Sequence, residues 1–191
     1  MYHIKDDQRS RRSSEMIYSG LAKLMREKDF AAITVKELVE AAQVGRTTFY
    51  RNFDEIVDVL HMRCDQVFEG LVRYIQEYRQ THTHDSGTQL LKPVLRYFYL
   101  HSELLELLMK AKRGDIAQES FRRLVAPFKP MFRMVYGVEE AYVDYILAIR
   151  IGAITSILTH WIETGKQQAP DELADKLSAM IENTVTLDQW L

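Results

Sequence analysis

An all-α fold is predicted by three features of this 191-residue chain. Apolar residues recur at helical spacing through nearly its whole length. Eight glycines and four prolines are few, which favours long helices over a turn-rich β architecture. No segment shows convincing strand alternation. With 47% hydrophobic and 27% charged residues, the chain has enough apolar mass to offset the entropy of ordering, which excludes a mainly disordered protein. The one cysteine, Cys64, excludes a disulfide framework and multi-cysteine zinc sites and suits a reducing cytoplasm. The amino end, MYHIKDDQRSRRSSE, is polar and reads as no secretory leader.

The elements follow in order. Ile17, Leu21, Leu24 and Met25 mark an amphipathic helix over about 10–28. Thr34 and Glu37 form a capping-box signature, in which hydroxyl and carboxylate each satisfy an amide of the first turn. The short helix they open carries Val35, Leu38, Val39 and Ala42 on one stripe and ends at Gln43-Val44-Gly45. A third short helix spans Arg46 to Asn52. A long helix runs from Asp54 to about Gln80, and Thr81–Gly87 is the clearest loop. Helices over about 88–99 and 102–112 come next, then one after Gly114 disturbed by Pro127 and Pro130. Glu139–Thr164 is the most apolar helix, and the last begins at Pro170. The total is about nine helices.

Charge separates the front of the chain from the rest. Residues 1–53 carry 10 Lys/Arg against 7 acids, net +3, and residues 54–191 carry 15 against 20, net −5. An anionic partner would therefore meet the front end. There, TVKELVEAAQVGRTTFYRNF has the layout of a helix-turn-helix whose second helix is sized for the DNA major groove. If Val44, Phe49 and Phe53 pack inward, then Arg46, Thr47, Tyr50 and Arg51 share the outer face, free of carboxylates. Arginine forks can read guanine edges and threonine the thymine methyl, while tyrosine and first-turn amides hold phosphate. The plain alternative is a solvated polar face on a core helix.

The stretch ITVKELVEAAQVGRTTFYRNFDEIVDVL resembles the DNA-binding unit of TetR/AcrR-type transcriptional regulators, with Thr34, Ala41, Val44, Thr48, Phe49, Tyr50 and Phe53 matching in order. The resemblance covers roughly residues 10–60. It implies that Thr34 and Lys36 touch the DNA backbone, that Thr48 and Tyr50 contact phosphate, and that Arg46 and Thr47 meet base edges, with Arg51 and Asn52 on the same helix. Three positions depart from the pattern. Gln43 stands where glycine is usual and has to accept positive φ, Gly45 replaces a capping serine, and Ile56 replaces a lysine of the following helix beside Asp54 and Glu55. The resemblance also implies a helix-turn-helix domain over 1–56 and an effector-binding and dimerisation domain over 57–191. Its double-stranded DNA partner would be a near-palindromic operator.

Between residues 141 and 162 only Asp144 and Arg150 are formally charged. A helix apolar on nearly every side must be covered on every side. It is long enough for a bilayer, but its mid-span charges argue against a membrane. Burial partly in its own domain and partly against a second copy explains it better, with Ile154, Ile157, Leu158 and Trp161 at a homodimer interface. The alternative is a monomer that wraps the helix. Tyr97, His101 and Met109 are candidates for a small-molecule effector pocket, a polar tip among apolar neighbours, although a plain core accounts equally well for such side chains. His82 and His84 could hold a metal but read better as a solvated loop, and Cys64 reads as a buried thiol. No GxSxG, glycine-rich phosphate loop or metal-spaced His/Glu set occurs, so neither an enzyme nor a cofactor is expected. The expectation is a cytoplasmic, effector-controlled DNA-binding regulator, with repression the commoner mode in the family. The alternative is a helical protein-interaction module or co-regulator of the same fold with weak or no DNA binding.

Overall fold

The computed structural model describes residues 1–82 and 90–183. Among them are ten α-helices: α1 (Gln8–Glu27), α2 (Val35–Ala41), α3 (Arg46–Asn52), α4 (Ile56–Thr81), α5 (Leu91–Leu100), α6 (Glu103–Lys110), α7 (Gly114–Val125), α8 (Lys129–Tyr136), α9 (Glu140–Glu163) and α10 (Pro170–Asn183). The all-α prediction is correct, and most helix bounds fall within two or three residues of those expected. One helix was merged in the sequence reading. Pro127 sits in a 3-10 turn over Ala126–Phe128, and Pro130 takes a first-turn position of α8, where its missing N–H costs nothing. His84 and Asp85 lie outside the described residues.

The chain forms two compact units. The first holds residues 1–67 and 103–125, and the second 68–102 and 126–191. Residues 1–56 lie wholly in the first, which also takes the start of α4 with α6 and α7.

In the first unit α1 packs on α2 and α3 through Ile17, Leu21, Met25, Leu38, Phe49 and Phe53, each at most 1% exposed. Such burial contributes about 1.5–3 kcal/mol per large side chain. Gly20 makes the approach of α1 to α2 possible: a β-carbon there would lie 2.8 Å from the Ala42 amide nitrogen. Helix α6 is tied to the end of α1 by Arg26 on Glu103 (2.6 Å) and by Lys110, whose ammonium donates to the Arg26 carbonyl (2.9 Å). Cys64 is buried near the Ile116 carbonyl, as the sequence reading expects.

In the second unit α10 is held to α5. The Arg96 guanidinium grips the Asp171 carboxylate through two 2.6 Å bonds, and Lys92 pairs with Asp175 at 2.7 Å. Helix α9 has two faces. Val143, Leu147, Ile151, Leu158, Trp161 and Ile162 are buried, whereas Tyr142, Tyr145 and Ile149 are 57%, 70% and 72% exposed. It is long and apolar enough to cross a membrane, with a mean hydropathy of 1.5, and its Asp144 is ion-paired with Lys129 of α8.

Candidate nucleic-acid interface

The first unit presents its two short helices in the order the sequence predicts. Thr34 opens α2 as a complete capping box: its hydroxyl accepts from the Glu37 amide at 3.3 Å, and Glu37 Oε2 accepts from the Thr34 amide at 2.9 Å. The Thr34 hydroxyl also donates to that carboxylate (2.7 Å), and Lys28 pairs with its other oxygen (2.6 Å). Lys28 first, then Thr34, hold the Glu37 carboxyl down to about 2.

The turn needs a left-handed residue, and Gln43 supplies it at φ 54°, as expected where glycine is usual. Gly45 then caps α3 with no side-chain bond. Phe49 and Phe53 are fully buried, their rings 5.8 Å apart, and they lock one side of α3 into the core. The opposite side carries Arg46, Thr47, Tyr50 and Arg51, all exposed, with Lys36 exposed on α2. The Tyr50 ring lies edge-on to that of Phe49 at 5.2 Å and remains exposed. Among the described residues Lys36, Arg46 and Arg51 form no ion pair, so none of those residues neutralises this cationic face.

Two other positions stand differently. Thr48 is half-buried. Asn52 is fully buried, and its amide is engaged on every side: it accepts from Ser10 (2.7 Å) and donates to Ser13 (3.2 Å) and to the Thr48 carbonyl (2.8 Å). Asn52 therefore leaves the expected DNA-contacting set and becomes a structural fastener between α1 and α3. The serine stripe is visible in the sequence, but its pairing with Asn52 is not. Ser10, Ser13 and Ser14 continue the buried stripe of Ile17 and Leu21 one and two turns toward the amino end, and all three are buried. Buried hydroxyls require partners, and the Asn52 amide, which both accepts and donates, meets those of Ser10 and Ser13.

Sequence reasoning also missed the segment before α1. Tyr2 and Phe53 form an isolated antiparallel bridge, and the Tyr2 hydroxyl donates to Asp65 (2.8 Å). His3 Nε2 lies 3.0 Å from Asp54 Oδ1, and the Met1 amino group lies against Asp54 and Asp58. The Asp54 carboxylate is held below its usual range by the amino group first and then by His3. Arg11 pairs with Asp6.

The remaining expected site residues fall in several places. Tyr97 and His101 meet in the second unit, rings 4.4 Å apart, and the Tyr74 ring lies tilted 5.8 Å from that of Tyr97. Met109 belongs to the first unit. A cleft of ≈ 350 Å³ between α8 and the start of α9 is lined by Lys129, Arg133, Met134, Glu140 and others, and by none of these three. Leu158 and Trp161 are 4% and 2% exposed, packed in their own unit with the Trp161 indole donating to the Gln168 carbonyl at 3.0 Å. They are corrected from dimer surface to core. Ile154 and Ile157 are half-buried.

A helix-turn-helix with an exposed basic second helix, followed by a larger helical region, defines a class: helical DNA-binding regulators. Residues 17–61 match the family described as "Bacterial regulatory proteins, tetR family", and residues 85–183 match "Transcriptional regulator C-terminal region". The chain belongs to the TetR family of transcriptional regulators. It is 21% identical over 179 residues to an uncharacterised HTH-type transcriptional regulator, YxbF, of Bacillus subtilis, covering 86% of this chain and 43% of that one. The chain thus spans less than half the length of this curated relative. The fold is similar to that of Lin0861 from Listeria innocua (TM-score 0.75, 18% identity, 94% of both chains). It is also similar to the fatty acid degradation regulator FadR from Bacillus halodurans (TM-score 0.53, 14% identity, 92% of this chain and 95% of that one).

Proposed function

We propose that the protein is a dimeric, sequence-specific DNA-binding transcriptional regulator, a repressor controlled by a small-molecule effector. The observation that carries this reading is the cationic face of α3: Arg46, Thr47, Tyr50 and Arg51 are exposed while Phe49 and Phe53 anchor the same helix in the core. Arg46 and Thr47 are assigned to base edges. Tyr50, Thr48, Thr34 and Lys36 are assigned to the phosphate backbone, with Arg51 at the margin.

The exposed side of α9 supports the dimer. Tyr142, Tyr145, Ile149, Ala153, Ser156 and His160 follow one another at helical spacing and are all exposed. The first four of these are apolar or aromatic, and such a stripe calls for a covering surface, which a second copy of α9 and α10 would provide. A twofold pair would set two reading helices roughly 34 Å apart, one turn of duplex, and read a near-palindrome. Tyr97 and His101 are the effector-facing candidates, and α4, whose residues belong to both units, is the element through which effector binding would favour one head spacing. The protein would act in the cytoplasm, without catalysis or cofactor.

Selection of duplexes from a random pool, followed by titration of the winner at several salt concentrations, tests the reading. A regulator yields a near-palindromic consensus, with log affinity falling steeply against log salt. The second reading, an interaction protein of the same fold, is favoured by Ile56 and by the exposed Asp54 and Glu55 at the start of α4. It predicts no enrichment and almost no binding.

A further inference from the structure

A helix of seven residues is too short to hold its own direction, so α3 takes its aim from whatever anchors it. Phe49 and Phe53 fix one side. The last turn is fixed by two other groups of atoms. The side chain of Asn52 is bonded to Ser10 and Ser13. Its carbonyl, one of the acceptors that a helix end leaves unpaired, takes the His3 amide at 2.8 Å. The Met1 carbonyl in turn accepts from the Asp54 amide at 3.2 Å, and the Lys5 amide donates to Ser10 Oγ at 3.2 Å. The arm is therefore laid along the end of the reading helix by backbone bonds on both sides of Tyr2.

The arm has one further fastening. The Tyr2 hydroxyl donates to one oxygen of Asp65 (2.8 Å), and the other oxygen accepts from Arg123 of α7 (2.7 Å). The Asp65 side chain is 22% exposed, so these bonds are partly sheltered from water. A continuous set of contacts thus runs from α7 through Arg123, Asp65 and Tyr2 to Phe53 and Asn52, all within the first unit.

We infer that Tyr2 and Asp65 are positioning residues for DNA reading: the arm straps the last turn of α3, sets the direction in which Tyr50 and Arg51 project, and ties that direction to α7. The inference rests on the DNA-binding function proposed above. Neither residue touches DNA in this scheme. Their loss should leave the number of phosphate contacts unchanged while loosening the helix that makes them.

The test uses the full chain with Tyr2→Phe, which removes only the hydroxyl, with Asp65→Asn, and with both. Amide hydrogen exchange is followed at His3, Phe53 and Asp54 in the free protein. Affinity and salt slope are measured on the duplex that wild type selects. The expected result is faster exchange at His3 and Asp54 in each variant. Affinity should fall by about three- to tenfold at an unchanged salt slope. The double variant should be no weaker than the weaker single, because both changes break one chain of contacts. Tyr2→Trp, which keeps a ring donor, should recover more affinity than Tyr2→Phe retains. Wild-type exchange at both amides overturns the strap. So does wild-type affinity in the variants, or a lower unfolding midpoint as the only change. Failure of wild type itself to bind any duplex would count against the DNA-binding reading, and exchange alone would then decide whether the arm holds α3.

Discussion

Arg46 stands at the first turn of α3, exposed and without an ion pair among the described residues, so its guanidinium fork can meet two acceptors at once. Arg46→Ala should cost about 1–3 kcal/mol on the selected operator and relax preference at one position in each half-site, read by competition against single-base variants. Removing a phosphate contact such as Lys36 should instead weaken all sequences alike. Cys64 illustrates the opposite kind of residue. Burial pushes its thiol up to about 12, so at pH 8 it stays protonated and sealed. A thiol reagent should fail to react with the native protein and should react once it is unfolded by denaturant. Fast reaction in the native state would mean that the packing around α4 opens readily.

At the scale of elements, the α1–α2 crossing turns on Gly20. Alanine would gain up to ~1 kcal/mol in helix propensity. Its methyl, however, would press on the backbone of Ala42, which cannot swing away. Gly20→Ala should therefore destabilise by about 1–2 kcal/mol in urea unfolding, against the sign of propensity alone. The start of α2 responds to pH. Glu37 is held at about 2 in the folded protein, below its ordinary 4.5, so its pairing with Lys28 and Thr34 contributes fully above about 4.5. That contribution is lost as pH falls from there through about 2. Thermal midpoints of wild type and Glu37→Gln should differ near neutrality and converge across that interval.

For the whole molecule the deciding question is what covers α9. Among the described residues, one stripe of α9 is buried within the chain and the opposite one, led by Tyr142, Tyr145 and Ile149, is exposed. Ile149→Glu, on the exposed stripe, should leave the fold intact, shift sedimentation from dimer to monomer and abolish tight binding to the palindrome. Leu158→Glu, on the buried stripe, should unfold the second unit instead. A folded Leu158→Glu monomer would reverse the assignment of the two faces.

Helix positions, the capping box at Thr34 and the outward set Arg46, Thr47, Tyr50 and Arg51 could be read directly from the chain. They depend on neighbours within four residues, and such signals survive any tertiary arrangement. Asn52, Leu158, Trp161 and the arm could not be read in this way. Asn52 has the chemistry of a DNA contact, and what buries it is Ser10 and Ser13, about forty residues earlier. On a helix apolar all round, periodicity does not distinguish the inward stripe from the outward one, so the faces of α9 follow from its packing in the second unit. Tyr2 shows no pattern at all, because its place comes from backbone bonds to Asn52 and Asp54 and from a carboxylate more than sixty residues away. Local periodicity settled which segments are helical; long-range packing and the pairing of buried polar groups decided which of their side chains remain free to act.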